Sequence, residues 1–198
     1  MNVRRIAGLV LLSALMVFPV MATTITASYT GGPTLIQLGG QPLEFTLSFP
    51  GATTLINNGG TVVSATIQFT FSNDSPGSGD LADVIIWDST PEAWVLDNAP
   101  VMGAPITTTY TVPWYPNSII AQVGGGTTTG AAVFGWITNG SDDWDFGVSA
   151  ASGSAGDFYL DGATVTLDIV PEPTSFLLIG TGLFGLGLLR KRILSARK

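Results

Sequence analysis

The stretch Val63-Ser64-Ala65-Thr66-Ile67-Gln68-Phe69-Thr70-Phe71 alternates apolar and polar residues without a break. A strand turns successive side chains to opposite faces, so this order predicts one face on a core and the other in water. Leu43, Phe45, Leu47 and Phe49 repeat the pattern against Glu44, Thr46 and Ser48. Ala163, Val165, Leu167 and Ile169 repeat it against Thr164, Thr166 and Asp168. Shorter strands are predicted over 24–29, 84–87, 93–96, 106–112, 119–123, 131–137, 144–148 and 158–160. Turn chemistry separates them at Asn57-Asn58-Gly59-Gly60, Pro76-Gly77-Ser78-Gly79, Gly124-Gly125-Gly126, Asn139-Gly140 and Asp161-Gly162, with residues 124–130 expected as a long hairpin loop. Residues 23–169 therefore read as all-β, an antiparallel β-sandwich with a jelly-roll-like order, large enough to bury a core without disulfides.

Charge is distributed with one sign per region. The 198 residues hold 14 carboxylates and 7 bases, with no Cys and no His. The bases are Arg4, Arg5, Arg190, Lys191, Arg192, Arg197 and Lys198, and every carboxylate lies between Arg5 and Arg190. A domain without a cationic side chain cannot neutralise phosphates, which excludes nucleic-acid binding. Ser–His and Cys–His catalytic units and Cys-based metal sites are excluded by composition. Carboxylate-pair hydrolysis of glycosides is formally available, but Glu occurs only at positions 44, 92 and 172, and no base is present to clamp a charged substrate. The chain is read as non-catalytic.

Both ends read as addresses. Residues 1–22 form a signal peptide: Arg4 and Arg5 begin it, Ile6 to Val17 supply the apolar core, and Val20 and Ala22 offer small residues before a cut after Ala22. An uncleaved N-terminal anchor is the alternative. At the other end an apolar, Gly-rich segment, 176–189, precedes a basic tail, 190–198. At about 1.5 Å per residue a helix of this length reaches about 21 Å, short of a hydrocarbon core of roughly 30 Å, so snorkelling and local thinning must close the gap. Arg190, Lys191 and Arg192 place the tail in the cytoplasm and the acidic domain outside the inner membrane. Immediately before the segment stands Val170-Pro171-Glu172-Pro173-Thr174-Ser175. Its two prolines fix φ and keep the stretch out of regular structure.

Pro-Glu-Pro, an apolar Gly-rich helix and an Arg-rich terminus, in that order, resemble the PEP-CTERM sorting signal over 170–198. The resemblance implies export by the general machinery, removal of the leader by signal peptidase, and processing near Pro171, Glu172, Pro173, Thr174 and Ser175 by exosortase, a membrane protease-transpeptidase. It further implies delivery to the cell surface or medium of a bacterium that makes extracellular polysaccharide. A permanently anchored membrane protein is the alternative.

Two groups of side chains in the acidic domain are candidates for binding. Asp142, Asp143 and Asp145, and separately Asp74, Asp80 and Asp83, offer oxygen ligands of the kind Ca²⁺ takes, without the spacing of an EF-hand. Five Trp stand at 87, 94, 114, 136 and 144. Trp114 and Tyr115, between Pro113 and Pro116, are expected at a loop tip where their rings could stack on a sugar, whereas Trp87 and Trp136 are expected in the core. The expected function is a structural or adhesive protein of the envelope or matrix; the alternative is a carbohydrate-binding module for a neutral or Ca²⁺-bridged polysaccharide.

Overall fold

A computed structural model describes residues 21–73, 79–87, 92–102, 107–136 and 142–171. Its elements are β1 (Thr23–Ser28), β2 (Thr34–Ile36), β3 (Leu43–Ser48), α1 (Ala52–Asn57), β4 (Thr61–Ser72), β5 (Asp80–Trp87), β6 (Ala93–Val101), β7 (Thr108–Trp114), β8 (Ile119–Ala121), β9 (Thr127–Thr129), α2 (Gly130–Trp136), β10 (Asp143–Ala150) and β11 (Phe158–Val170). Residues Ala22–Pro171 make one compact unit. The signal peptide, except Met21 and Ala22, and the C-terminal segment with its basic tail lie outside the described residues. Among the described residues no helix is long and apolar enough to cross a membrane.

The strands pair in nested fashion: β1 with β11, β3 with β10, β4 with β7, and β5 with β6, all antiparallel. Pairing of β11 with β4 and of β10 with β5 joins these couples into two sheets, ordered β1-β11-β4-β7 and β3-β10-β5-β6, with β2 extending the first beside β11. Nested pairs folded over into two facing sheets are the jelly-roll arrangement. The short β8–β9 hairpin and α2 are inserted between β7 and β10.

The core lies where the inner faces meet. Ala65, Ile67, Phe69 and Phe71 of β4 and Ala163, Val165, Leu167 and Ile169 of β11 are buried, as their alternation requires. Across the gap stand Leu47, Ala82, Val84, Ile86, Trp144, Phe146 and Val148. Ring contacts join the sheets: Phe69 meets Phe146 at 5.7 Å between centroids, and Trp114 meets Trp144 at 6.5 Å. At the margin, Tyr110 of β7 donates its hydroxyl to the Pro100 carbonyl of β6 at 2.5 Å.

Four local expectations are corrected. Residues 131–136 are helical, not extended, because Gly130, Val133 and Phe134 bury one helical face at i, i+3 and i+4, a period that the apolar run concealed. At Gly130 an added Cβ would lie 1.9 Å from the Tyr115 carbonyl oxygen, so only glycine permits the chain to pass there. Asp161-Gly162 is not a turn: β11 runs straight through it, and the register shift between Leu160 and Gly162 makes Asp161 the extra residue of a bulge. A second shift opposite Asp168 and Ile169 reverses the start of β4, so Val62 is buried at 6% exposure and Val63 is outward at 38%. The Gly124–Gly126 run does turn a hairpin, all three at positive φ between β8 and β9, but the loop is shorter than the expected 124–130, because Thr127–Thr129 form β9 and Gly130 begins α2.

Candidate functional site

The outer face of the β3-β10-β5-β6 sheet carries aromatic side chains. In β5, fully buried Ala82, Val84 and Ile86 alternate with half-buried Leu81, Asp83, Ile85 and Trp87, so the second set faces away from the core. Trp94 of β6 pairs with Ile85 and shares that face. Directly cross-strand residues point the same way. One row of the face thus reads Glu44, Gly147, Ile85, Trp94, and the next Thr46, Asp145, Trp87.

Gly147 shapes this surface. A Cβ built there would stand 2.9 Å from Cζ3 and 3.2 Å from Cη2 of Trp87, and 3.2 Å from Cγ1 of Ile85. The Trp87 indole therefore leans across the backbone of β10, and Gly147 is the floor beneath it. A bare backbone position under an aromatic ring gives a low platform rather than a projecting side chain. Around it, Asp145 accepts the Thr46 hydroxyl at 2.5 Å, and Glu44 is exposed. Asp83 lies two residues before Ile85 and accepts the Asn98 backbone N–H at 2.8 Å. Burial raises the Asp83 pKa above its ordinary value, the Asn98 hydrogen bond opposes this, and the nearby Asp97 charge adds to it.

The sequence-predicted residues are distributed otherwise. Trp114 is not at a loop tip: it ends β7, is 5% exposed and packs on Trp144, so its ring faces are unavailable to a sugar. Tyr115 beside it is exposed at 52%, but alone. Trp136 is in the core as expected, while Trp87 is the outward residue that alternation on a two-faced strand left ambiguous. What could have revealed the platform is the outward phase of Ile85 and Trp87 together, two apolar residues where water-facing polar ones belong.

Among the described residues no three carboxylates are arranged to hold a metal. Asp142, at φ 59 in the left-handed region that Asp tolerates, instead caps α1 from across the chain, its carboxylate accepting the Thr53 N–H at 2.5 Å and the Gly51 N–H at 3.2 Å. The hydrogen bond from the Thr53 side chain, with those from the two backbone groups, lowers its pKa against a smaller opposing effect of desolvation. Asp143 and Asp145 follow on β10, Asp145 being engaged by Thr46. Asp80 and Asp83 point to opposite sides of β5, and Asp74 lies outside the described residues. Asp80, 1% exposed, is held by neutral donors, Asn73 and, at 3.5 Å, the Ser154 hydroxyl. A cation-free domain can satisfy a buried carboxylate only in this way.

Beyond the sandwich, the profile of the PEP-CTERM protein-sorting motif matches residues 170–192. The chain carries a PEP-CTERM sorting motif. The motif implies recognition by exosortase and a destination outside the cell. Its first residue, Val170, closes β11, so the motif starts where an interior strand of the first sheet ends. Glu172, Pro173, Thr174, Ser175, Arg190, Lys191 and Arg192 lie outside the described residues.

No curated protein matches the sequence. Among solved structures, the chain is similar to the VP2 subviral particle of infectious bursal disease virus at 13% identity and a TM-score of 0.39, covering 74% of this chain and 32% of that one. It is similar to the xylan-binding module CBM15 at 14% identity and a TM-score of 0.42, covering 74% of this chain and 97% of that one. Peanut lectin follows at 9% identity and a TM-score of 0.28, covering 75% and 99%. The chain thus spans about a third of the length of the viral protein. These likenesses are too loose to transfer a ligand.

Proposed function

We propose that this is an exported, non-catalytic matrix protein that adheres to extracellular glycan through the outer face of its β3-β10-β5-β6 sheet. The observation that carries the proposal is the outward pair Trp87 and Trp94, with Trp87 laid over Gly147. The apolar face of a sugar ring gains by covering an indole, while hydroxyls at its edge reach polar neighbours. An acidic polysaccharide is repelled by a domain that contains carboxylates and no base.

In this account signal peptidase removes residues 1–22 and the chain is held by helix 176–189, with Arg190, Lys191 and Arg192 on the cytoplasmic side. Exosortase then processes it around Pro171–Ser175 and releases it to the surface or medium. The start of β1 at Thr23, directly after the expected cut, supports a leader that ends at Ala22.

Retention of the full chain, in mild detergent, on insoluble polysaccharides tests the adhesive role. Wild-type protein should be held and Trp87→Ala/Trp94→Ala released. Absence of retention on every glycan would leave a purely structural matrix protein. Replacing Pro171-Glu172-Pro173 with Ala tests sorting: intact mass should show the tail retained in the membrane fraction, and unchanged processing would remove the motif from the account.

A further inference from the structure

Resting on the glycan-binding reading of the Trp87–Trp94 face, we propose that its ligand is a polysaccharide with free amino groups, a partly de-N-acetylated aminosugar polymer.

Three carboxylates share the face with the two indoles. Asp145 is directly cross-strand from Trp87, and Glu44 from Gly147, on whose backbone the Trp87 ring lies. Asp83 occupies the outward position before Ile85 on the same strand. Direct cross-strand neighbours lie about 5 Å apart, so the Trp87 indole has the Asp145 carboxylate within the reach of one sugar unit. An ammonium group on that unit gains twice, from the carboxylate and from the electron-rich face of the indole. A neutral hydroxyl gains neither charge term.

No cation of the domain can take this place, because Lys, Arg and His are absent from Ile6 to Leu189. On the opposite sheet the comparable carboxylate, Asp168, is engaged by Thr24 at 2.9 Å and Ser64 at 2.7 Å. Around the indoles, Asp145 accepts the Thr46 hydroxyl and Asp83 the Asn98 N–H, while Glu44 is exposed. Carboxylates and the aromatic platform therefore coincide on one surface, whose negative charge complements a cationic sugar.

The test is calorimetric titration of the full chain in neutral detergent with β-linked glucosamine hexamer, its N-acetylated counterpart and cellohexaose. The glucosamine hexamer should bind about tenfold more tightly than the N-acetylated one, a difference of about 1.4 kcal/mol. Added NaCl should weaken that preference. Glu44→Gln, alone and with Asp145→Asn, should remove most of it, while Asp168→Asn, the same charge change on the opposite sheet, should leave it. Equal affinity for charged and N-acetylated hexamers would overturn the proposal and leave glycan binding standing. So would a preference that survives Glu44→Gln/Asp145→Asn, or capture of poly-lysine that ignores Trp87→Ala, either of which would mean general attraction to polycations. Failure of every hexamer to bind, or indifference of binding to Trp87→Ala/Trp94→Ala, would instead remove the glycan-binding reading itself.

Discussion

On the outer face of the β1-β11-β4-β7 sheet, Thr26, Thr166 and Thr66 form one cross-strand row, and Ser28, Thr164, Gln68 and Thr111 the next. On the outer face of the other sheet the equivalent rows hold Glu44, Gly147, Ile85 and Trp94, then Thr46, Asp145 and Trp87. The hydroxyl face largely satisfies itself: Thr26 with Thr166, Ser28 with Thr164 and Thr70 with Thr109 are each 3.2 Å apart. The second face sets indoles beside carboxylates, of which Asp145 is engaged by Thr46 and Glu44 is exposed. Both faces rest on one core and both are solvent-facing, so exposure alone does not mark a site. What sets the second face apart is the outward apolar area of Ile85, Trp87 and Trp94 beside its carboxylates.

Single substitutions separate the two faces. The largest effect belongs to the core beneath both faces. Trp144→Ala should cost about 3–5 kcal/mol in chemical denaturation and abolish function of either face, because Trp144 is fully buried against Phe49, Trp114, Phe134 and Phe146. A cost near zero would mean that the sheets do not meet there. Next, Gly147→Ala should displace the Trp87 ring, lowering glycan affinity and costing about 1–3 kcal/mol of stability. Thr66→Ala on the hydroxyl face should leave affinity unchanged.

Asp142→Ala should cost about 1 kcal/mol by uncapping α1 and straining a position at positive φ. Because its folded pKa lies below the unfolded value of 3.8, the carboxylate's contribution is present above that value and is lost as pH falls through the lower, folded one. The gap between wild type and Asp142→Asn should therefore close on acidification. Asp83 has the opposite sign. Its raised folded pKa means that the ionised form is penalised near neutrality and relieved as pH falls through that pKa. Asp83→Asn should stabilise slightly at neutral pH, with the gain vanishing in acid; a gain that persists would assign it to something other than charge. At the smallest end, trypsin should leave residues 22–171 uncut, folded or in urea, since they contain no Lys or Arg.

Much of the fold was legible because alternation reports burial directly: β3, β4, β10 and β11 follow from their apolar phase. Bulges were not legible, since one added residue at Val63 or Asp161 changes phase without changing composition. Nor was α1, whose Ala-Thr-Thr-Leu-Ile-Asn sequence has weak helix propensity and whose cap comes from Asp142, far along the chain. For the proposed site, the sequence pointed to Trp114 and Tyr115, whereas the structure turns Trp87 and Trp94 outward. A tryptophan in an alternating strand can face core or solvent, and only the pairing of Trp87 with Asp145 and of Ile85 with Gly147 decides which. Trp114, flanked by prolines, had the composition of a loop and the packing of a core residue.

On the proposed function, the indoles of Trp87 and Trp94 receive the glycan. Nuclear magnetic resonance of the full chain with ¹⁵N-labelled tryptophan, titrated with the glucosamine hexamer, observes those indole N–H groups one by one. The account predicts that the Trp87 and Trp94 signals move with saturating shifts while that of buried Trp144 stays in place. Binding that leaves both outward indoles unmoved would contradict it.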